Sequence, residues 1–290
     1  MNQRVRQPRG KSIDYRGSLI AVGTRHGKQL QFAPAFAAVL GARVIAPPDL
    51  DTDKFGTFPG EVPRTMSALD TARAKALLAV QASGSRYALA SEASYGPLPG
   101  TGIPGHEELL VFIDHARGIE LVEGYRTTAI PGFGQRIRDF SDLKPGIVGA
   151  LPDQALIVRP SVDSRPGDIV KGITTTERLQ GAVISAAGRS SDGLALVEPD
   201  LRAHHNPTRR QVLARLAETM AHRLATRCPG CSAPGFGRVD TEPGLPCRAC
   251  ATPTPLSRHQ IHSCSVCTHD EIHPVAEPAA DPRWCPECNP

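Results

Sequence analysis

The chain lacks any apolar run approaching the roughly 18 residues of a membrane span, and its first ten residues, MNQRVRQPRG, lack the hydrophobic stretch of a secretory signal. A cytosolic protein without a membrane partner is expected. Net charge is also scarce. The formal +4 is accounted for by Met1 to Arg16, where Arg4, Arg6, Arg9, Lys11 and Arg16 outweigh Asp14, so the remainder is neutral. Thiolate binding of two zinc ions by the eight cysteines would remove even that excess, which weakens any basic-patch case for nucleic acid. Aromatics make up only 4 % of the chain, but 40 % apolar residues in 290 suffice for a real core.

What is present reads as α/β: a mixed central sheet flanked by helices, followed by a small double zinc-ribbon segment. Residues 1–17 read as a disordered basic leader, 18–206 as a nucleotide-binding-like domain, 207–227 as a connecting helix and 228–290 as the ribbons. SLIAVGT is a buried strand, and RHGKQ opens a helix that runs to Leu40 and stops at Gly41. A helix start after a strand attracts anions, so Lys28 is a candidate phosphate ligand, with Thr24 and His26 lining the turn. Ala42–Ala46 is a second strand. DLDTDKFGTFPGEVPR is a long loop in which Glu61 is a candidate metal ligand, and Asp49, Asp51 and Asp53 read as solvated turn formers. A helix over Thr65–Val80 follows from apolar positions at helical spacing. Asp70, Arg73 and Lys75 lie off its stripe and read as surface charges.

RYALASEASYGP reads as a strand that delivers Glu92 to its end, where Ser, Gly and Pro stop it. A carboxylate at a strand end is well placed for chemistry in an open α/β sheet. LLVFID, HARG and IELVEGYRT form a hairpin. His106, Glu107, Glu108 and Asp114 border this region with surface roles expected, although any of them could join a carboxylate cluster holding a divalent cation. QALIVRP resumes the sheet, Thr176–Ala187 is a helix closed by Gly188, and LALVE is a further strand leading into DLRAHHNPTRR. Arg202 and Arg209 there are candidate phosphate contacts, helix-entry capping being the alternative. Val212, Leu216, Met220 and Leu224 share one stripe of a helix that leads into the tail.

Cys228/Cys231, Cys247/Cys250, Cys264/Cys267 and Cys285/Cys288 are four C-x-x-C pairs. In a reducing compartment, pairs at this spacing bind metal rather than form disulfides. Two Zn2+ sites with four thiolates each leave no open coordination position and are structural. Joining the first pair to the second and the third to the fourth gives two complete ribbons; cross-bracing is the alternative. His259, His262, His269 and His273 are then surplus as ligands and expected on the surface.

GTRHGK, DTDKFGTFPGEV, ASEASYGP, EPDLRAHHNPTR and the cysteine tail together resemble an uncharacterised bacterial family with a zinc-ribbon terminus. Residues 18 to about 130 also resemble the inosine triphosphate pyrophosphatase superfamily. GTRHGK stands at that superfamily's phosphate turn, DTARAKA at its lysine-bearing helix, ASEAS at its acidic strand, and LLVFID to EGYRTTAI at its hairpin. The turn's asparagine is replaced by His26, Lys28 comes one residue early, and Ala93 stands where a second acid occurs. This resemblance implies Lys28 and Lys75 on a triphosphate, and Glu61 with Glu92 on Mg2+ and the attacking water. A Mg2+-dependent nucleoside triphosphate hydrolase or pyrophosphatase is therefore expected. Alternatives are a zinc-ribbon module that binds nucleic acid or protein on a non-catalytic scaffold, or a nucleotide sensor.

Overall fold

The structure, a computed structural model, describes residues 14–57, 61–98, 101–132 and 134–290. Most of the expected basic leader lies outside these residues. Its described end is packed, with the Tyr15 side chain buried. Two compact units are present, one over Gly17–Met220 and one that includes Ala221–Pro290. They are described separately.

In the first unit, β1 (Leu19–Val22) leads through a turn into α1 (Gln29–Leu40) and back to β2 (Arg43–Ile45). Phe32, Phe36 and Leu40 recur every fourth residue on α1 and are buried, and full burial of such a side chain contributes roughly 1.5–3 kcal/mol. Gly41, at φ 62°, ends α1 in the left-handed conformation that glycine adopts freely. α2 (Ala68–Ser83) begins where Ser67 accepts a hydrogen bond from the Asp70 amide. β3 (Tyr87–Pro97), β4 (Pro104–Asp114) and β5 (Ile119–Thr127) follow.

These five strands form one mixed sheet in the order β2-β1-β3-β4-β5, flanked by helices. β1 pairs in parallel with β2 and β3, whereas β3, β4 and β5 pair antiparallel. The connection from β1 goes to one neighbour and the chain then returns to the other side of β1, so the strand order reverses between β1 and β3. Contrary to expectation, β3 does not stop at its Ser, Gly and Pro residues. It pairs with β4 through Pro97, and Glu92 lies in mid-strand. β1 ends its pairing at Val22 opposite Leu89. Beyond that point the β1 side of β3 is an open edge, where Gly and Pro are tolerated.

QALIVRP does not resume this sheet. β6 (Gln135–Ile137), β7 (Leu156–Pro160), β8 (Val170–Ile173) and β9 (Ala195–Pro199) form a second, antiparallel sheet in the order β6-β9-β7-β8. α3 (Pro145–Gly149) precedes β7, and α4 (Thr176–Arg189) is capped by Thr175 and runs through Gly188 rather than closing there. Leu156, Val158, Ile173, Ala195 and Val197 form one core with Leu179, Val183 and Ala186 of α4. α5 (Pro207–Ala225) buries Val212, Leu216, Met220 and Leu224 as their spacing indicates, and the division between units falls within it.

The second unit carries an antiparallel sheet of β10 (Gly237–Pro243), β11 (Ser257–Ser263) and β12 (Asp270–Pro274). Its cysteines contradict the sequential pairing. Cys228 and Cys231 meet Cys264 and Cys267, and Cys247 and Cys250 meet Cys285 and Cys288. The chain is cross-braced. His273 is exposed as expected, but His259, His262 and His269 are half-buried. His259 pairs with Glu242, and His269 and His273 share Glu271. No helix of the described residues is long and apolar enough to cross a membrane.

Candidate functional site

The reversal of strand order between β1 and β3 opens a crevice at the carboxyl edge of the parallel strands, a common ligand position in open α/β sheets. A cavity of about 380 Å3 lies there. Thr24, His26, Lys28, Glu61, Lys75, Glu92, Arg202 and Arg209, the eight candidates selected from the sequence, all line it, although they span nearly two hundred residues of chain. They are joined by Asp53, Arg64, Tyr95 and Lys171, which sequence reasoning did not select for the site.

Local geometry explains the convergence. In the turn after β1, the Thr24 hydroxyl accepts from the His26 amide, and Gly27 has φ 68°. Gly23 makes the close approach: a Cβ there would lie 2.2 Å from the Lys75 carbonyl oxygen. Only glycine lets the turn touch α2, and that contact brings Lys75 to the cavity. Lys75 was read as a surface charge from its helical position but is 8 % exposed. Its Nζ lies 2.6 Å from Glu92 Oε2, and Arg64 Nη1 lies 3.4 Å from Glu92 Oε1. Two cations therefore share one carboxylate.

Lys28 is different. It is 7 % exposed, and its Nζ donates to the Ser91 carbonyl at 2.9 Å and to Ser91 Oγ at 2.8 Å. Among the described residues it forms no ion pair with a carboxylate. Burial, then the positive charge of Arg209, pushes its amine down to about 7. The other charged groups are matched. Glu61 pairs with Lys171 and so is not a free ligand. Arg202 closes on Asp200 with its Nη2 2.6 Å from Oδ2. Asp53, expected to be solvated, pairs with Arg25 at 3.0 Å and with His26 at 3.3 Å. Burial lowers His26 to about 4 despite Asp53. The His26 ring stacks on His204 at 4.9 Å between centroids.

Behind the cavity, the expectation of surface roles fails for His106, Glu108 and Asp114, which are all buried. Arg209 is 2 % exposed and grips Glu108 with Nε at 2.7 Å and Nη2 at 3.0 Å, while Nη1 donates to the Leu201 carbonyl. Burial alone would raise the Glu108 carboxyl, but the Arg209 charge and the His106 hydrogen bond hold it well below the usual carboxylate range. Asp114 pairs with Arg117, and Glu107 with Arg126. Once these pairs are set against one another, the lining keeps an excess of positive charge where Lys75 and Arg64 share Glu92, and Lys28 adds to it when protonated. Such a site favours an anion.

The two cysteine quartets have a separate character. The closest Sγ–Sγ separations within them run from 3.5 to 3.9 Å, and all four sulfurs of each quartet lie within 4.8 Å of one another. A tetrahedron of thiolates about 2.3 Å from a central zinc has edges of roughly 3.8 Å. A disulfide at about 2.05 Å is excluded by the same distances. Both quartets are thus compatible with zinc. They are the only groups of three or more His, Cys, Asp or Glu close enough to hold a metal among the described residues.

No curated protein matches the chain. Among solved structures, a dodecamer of a PelC point variant from Paraburkholderia phytofirmans aligns at 14 % identity and a TM-score of 0.22, over 40 % of this chain and 74 % of that one, a likeness that carries no argument. A family profile covers far more. It matches residues 75–290, taking in Lys75, Glu92, Arg202, Arg209 and all eight cysteines. On that match the chain belongs to the family described as Domain of unknown function (DUF6671).

Proposed function

We propose that the protein binds a nucleoside triphosphate in the cavity between β1 and β3 and hydrolyses it, releasing phosphate or pyrophosphate. The observation carrying this reading is the meeting of Lys28, Lys75 and Glu92 at one crevice with surplus positive charge. An incoming polyphosphate satisfies the Lys28 amine, which takes up a proton as the anion arrives. Lys75 and Arg64 turn from Glu92 to the phosphate oxygens. That exchange frees the Glu92 carboxylate to orient a water and receive its proton as the water attacks phosphorus.

The fit of Mg2+ follows from the donors. Glu61 and Glu92 are both engaged by cations, and two carboxylates alone do not enclose a hard cation. Mg2+ is commonly held by one or two carboxylates together with substrate phosphates, so these residues fit an ion that enters with the nucleotide. Bound there, it would neutralise charge developing on the phosphates. Zinc in both quartets is structural in this reading, since four thiolates leave no open position.

Charge speaks against the alternative of a nucleic-acid-binding ribbon. Residues 221–290 hold six arginines, no lysine and seven acids before any thiolate charge is added, and that balance repels a phosphate backbone.

Release of phosphate and pyrophosphate from a panel of nucleoside triphosphates with Mg2+ tests the reading. Turnover is expected with at least one, and Glu92→Gln is expected to abolish turnover while retaining nucleotide binding. A zinc-loaded protein that binds polyphosphate but never turns over would remove the enzymatic claim.

A further inference from the structure

A second cavity of about 290 Å3 adjoins the first, and Tyr95 and Leu201 line both. Its remaining wall comes from Gly96 and Pro104 at the ends of β3 and β4, from Ile130, Pro131, Gly132 and Gly134, and from the face of the second sheet turned away from the α4 core. On β7 and β9 the side chains alternate: Leu156, Val158 and Val197 face that core, so Ile157, Arg159 and Glu198 occupy the opposite face. Ile157 stands directly opposite Glu198 in the ladder, and Arg159 is the diagonal neighbour. Arg159 Nη2 lies 2.9 Å from Glu198 Oε2, with both side chains about a third exposed. Gly134 leaves room for the acid, since a Cβ there would lie 2.8 Å from Glu198 Cγ. At the junction the Tyr95 ring is stacked on buried His106 at 4.4 Å and 4°, which fixes its plane.

The first cavity is thus cationic, and its neighbour is apolar with one charged donor and acceptor pair on the wall. We infer that the second cavity holds the base of the nucleotide whose phosphates occupy the first, and that Glu198 and Arg159 select guanine. This rests on the polyphosphate reading of the first cavity. The volume is at the small end of the roughly 300–1,000 Å3 of ligand sites, which suits one bicyclic ring and no polymer. Guanine offers a carboxylate two adjacent donors, N1–H and the 2-amino group, beside an O6 acceptor for the arginine. Adenine sets a ring acceptor beside its amino group, so one carboxylate oxygen would face a lone pair. A site built to pair with a particular edge rejects edges that leave its polar groups unmatched.

Equilibrium binding to the full-length, zinc-loaded protein without added magnesium separates the two ideas. GTP should bind at least about tenfold tighter than ATP or inorganic tripolyphosphate, the scale of one good bidentate base contact. Glu198→Gln should erase the preference and leave tripolyphosphate affinity unchanged. Arg159→Met provides a second variant, with circular dichroism confirming that each is folded. Equal affinity for GTP, ATP and tripolyphosphate, or a preference that survives in both variants, overturns the base site and leaves the polyphosphate site standing. Failure of all three ligands to bind removes both.

Discussion

The two units keep their shape by different means. Gly17–Met220 buries large aliphatic and aromatic side chains in every layer, from Phe32 and Phe36 on α1 to Leu179 and Val183 on α4. Beyond α5, the second unit buries only Phe236 and Leu245 among described apolar side chains larger than alanine, apart from its cysteines. A segment so poor in core calls for staples, and its two cysteine quartets are compatible with zinc ions in that role. The first unit, with core to spare, can tolerate buried charges whose sole location of use is a cavity.

Metal removal should produce the largest effect, because structural zinc is worth about 10–16 kcal/mol of apparent folding free energy in small thiolate domains. A strong chelator, or Cys228→Ser with Cys250→Ser, should abolish one of two calorimetric transitions and leave that of Gly17–Met220 in place. Loss of both transitions together would break the contrast.

Next in size is the buried pair behind the cavity. Arg209→Met strands Glu108 without its partner and should cost about 3–5 kcal/mol in denaturant unfolding of the first unit. Arg209→Met combined with Glu108→Gln should recover much of that, since no unpaired charge is left.

Within the cavity, Lys75→Met should weaken tripolyphosphate binding by about tenfold or more, read by titration calorimetry on protein shown to be folded by circular dichroism. The smallest effect is one of pH. With Lys28 titrating at about 7 in the free protein and raised by a bound anion, binding takes up a proton above that pH. Affinity should then fall as pH rises from 7 to 9, by up to about tenfold per unit. Lys28→Arg, which stays charged throughout, should flatten the profile, and an unchanged slope in that variant would remove Lys28 as the cause.

Local elements were legible in the sequence where local chemistry decides them. The β1–turn–α1 segment, the start of α2 and the β4–β5 hairpin follow from apolar spacing, capping residues and glycine. Lys28 stood out at a helix start after a strand and Glu92 as a carboxylate near a strand end, whereas Lys75 came only from a resemblance, and their common cavity depends on contacts that no local pattern announces. Gly23 against Lys75 is one of these. Glu108 and His106 looked like surface residues because the arginine that matches them lies about a hundred residues away on α5. Arg64 and Lys171 gave no signal, since their spacing resembles that of any exposed cation. β7 and β9 were legible as strands, but which sheet a strand joins is settled by packing. The cysteine pairing was open for a similar reason: the C-x-x-C spacing is the same under either connectivity.

The cross-brace has a kinetic meaning of its own. The loops closed by the two quartets, 228–267 and 247–288, overlap along the chain, so filling either quartet shortens the search that the other must make. Half-loaded protein should therefore be scarce during metal titration. The segment 247–267, enclosed by both loops, becomes the last part of the tail that a protease can open.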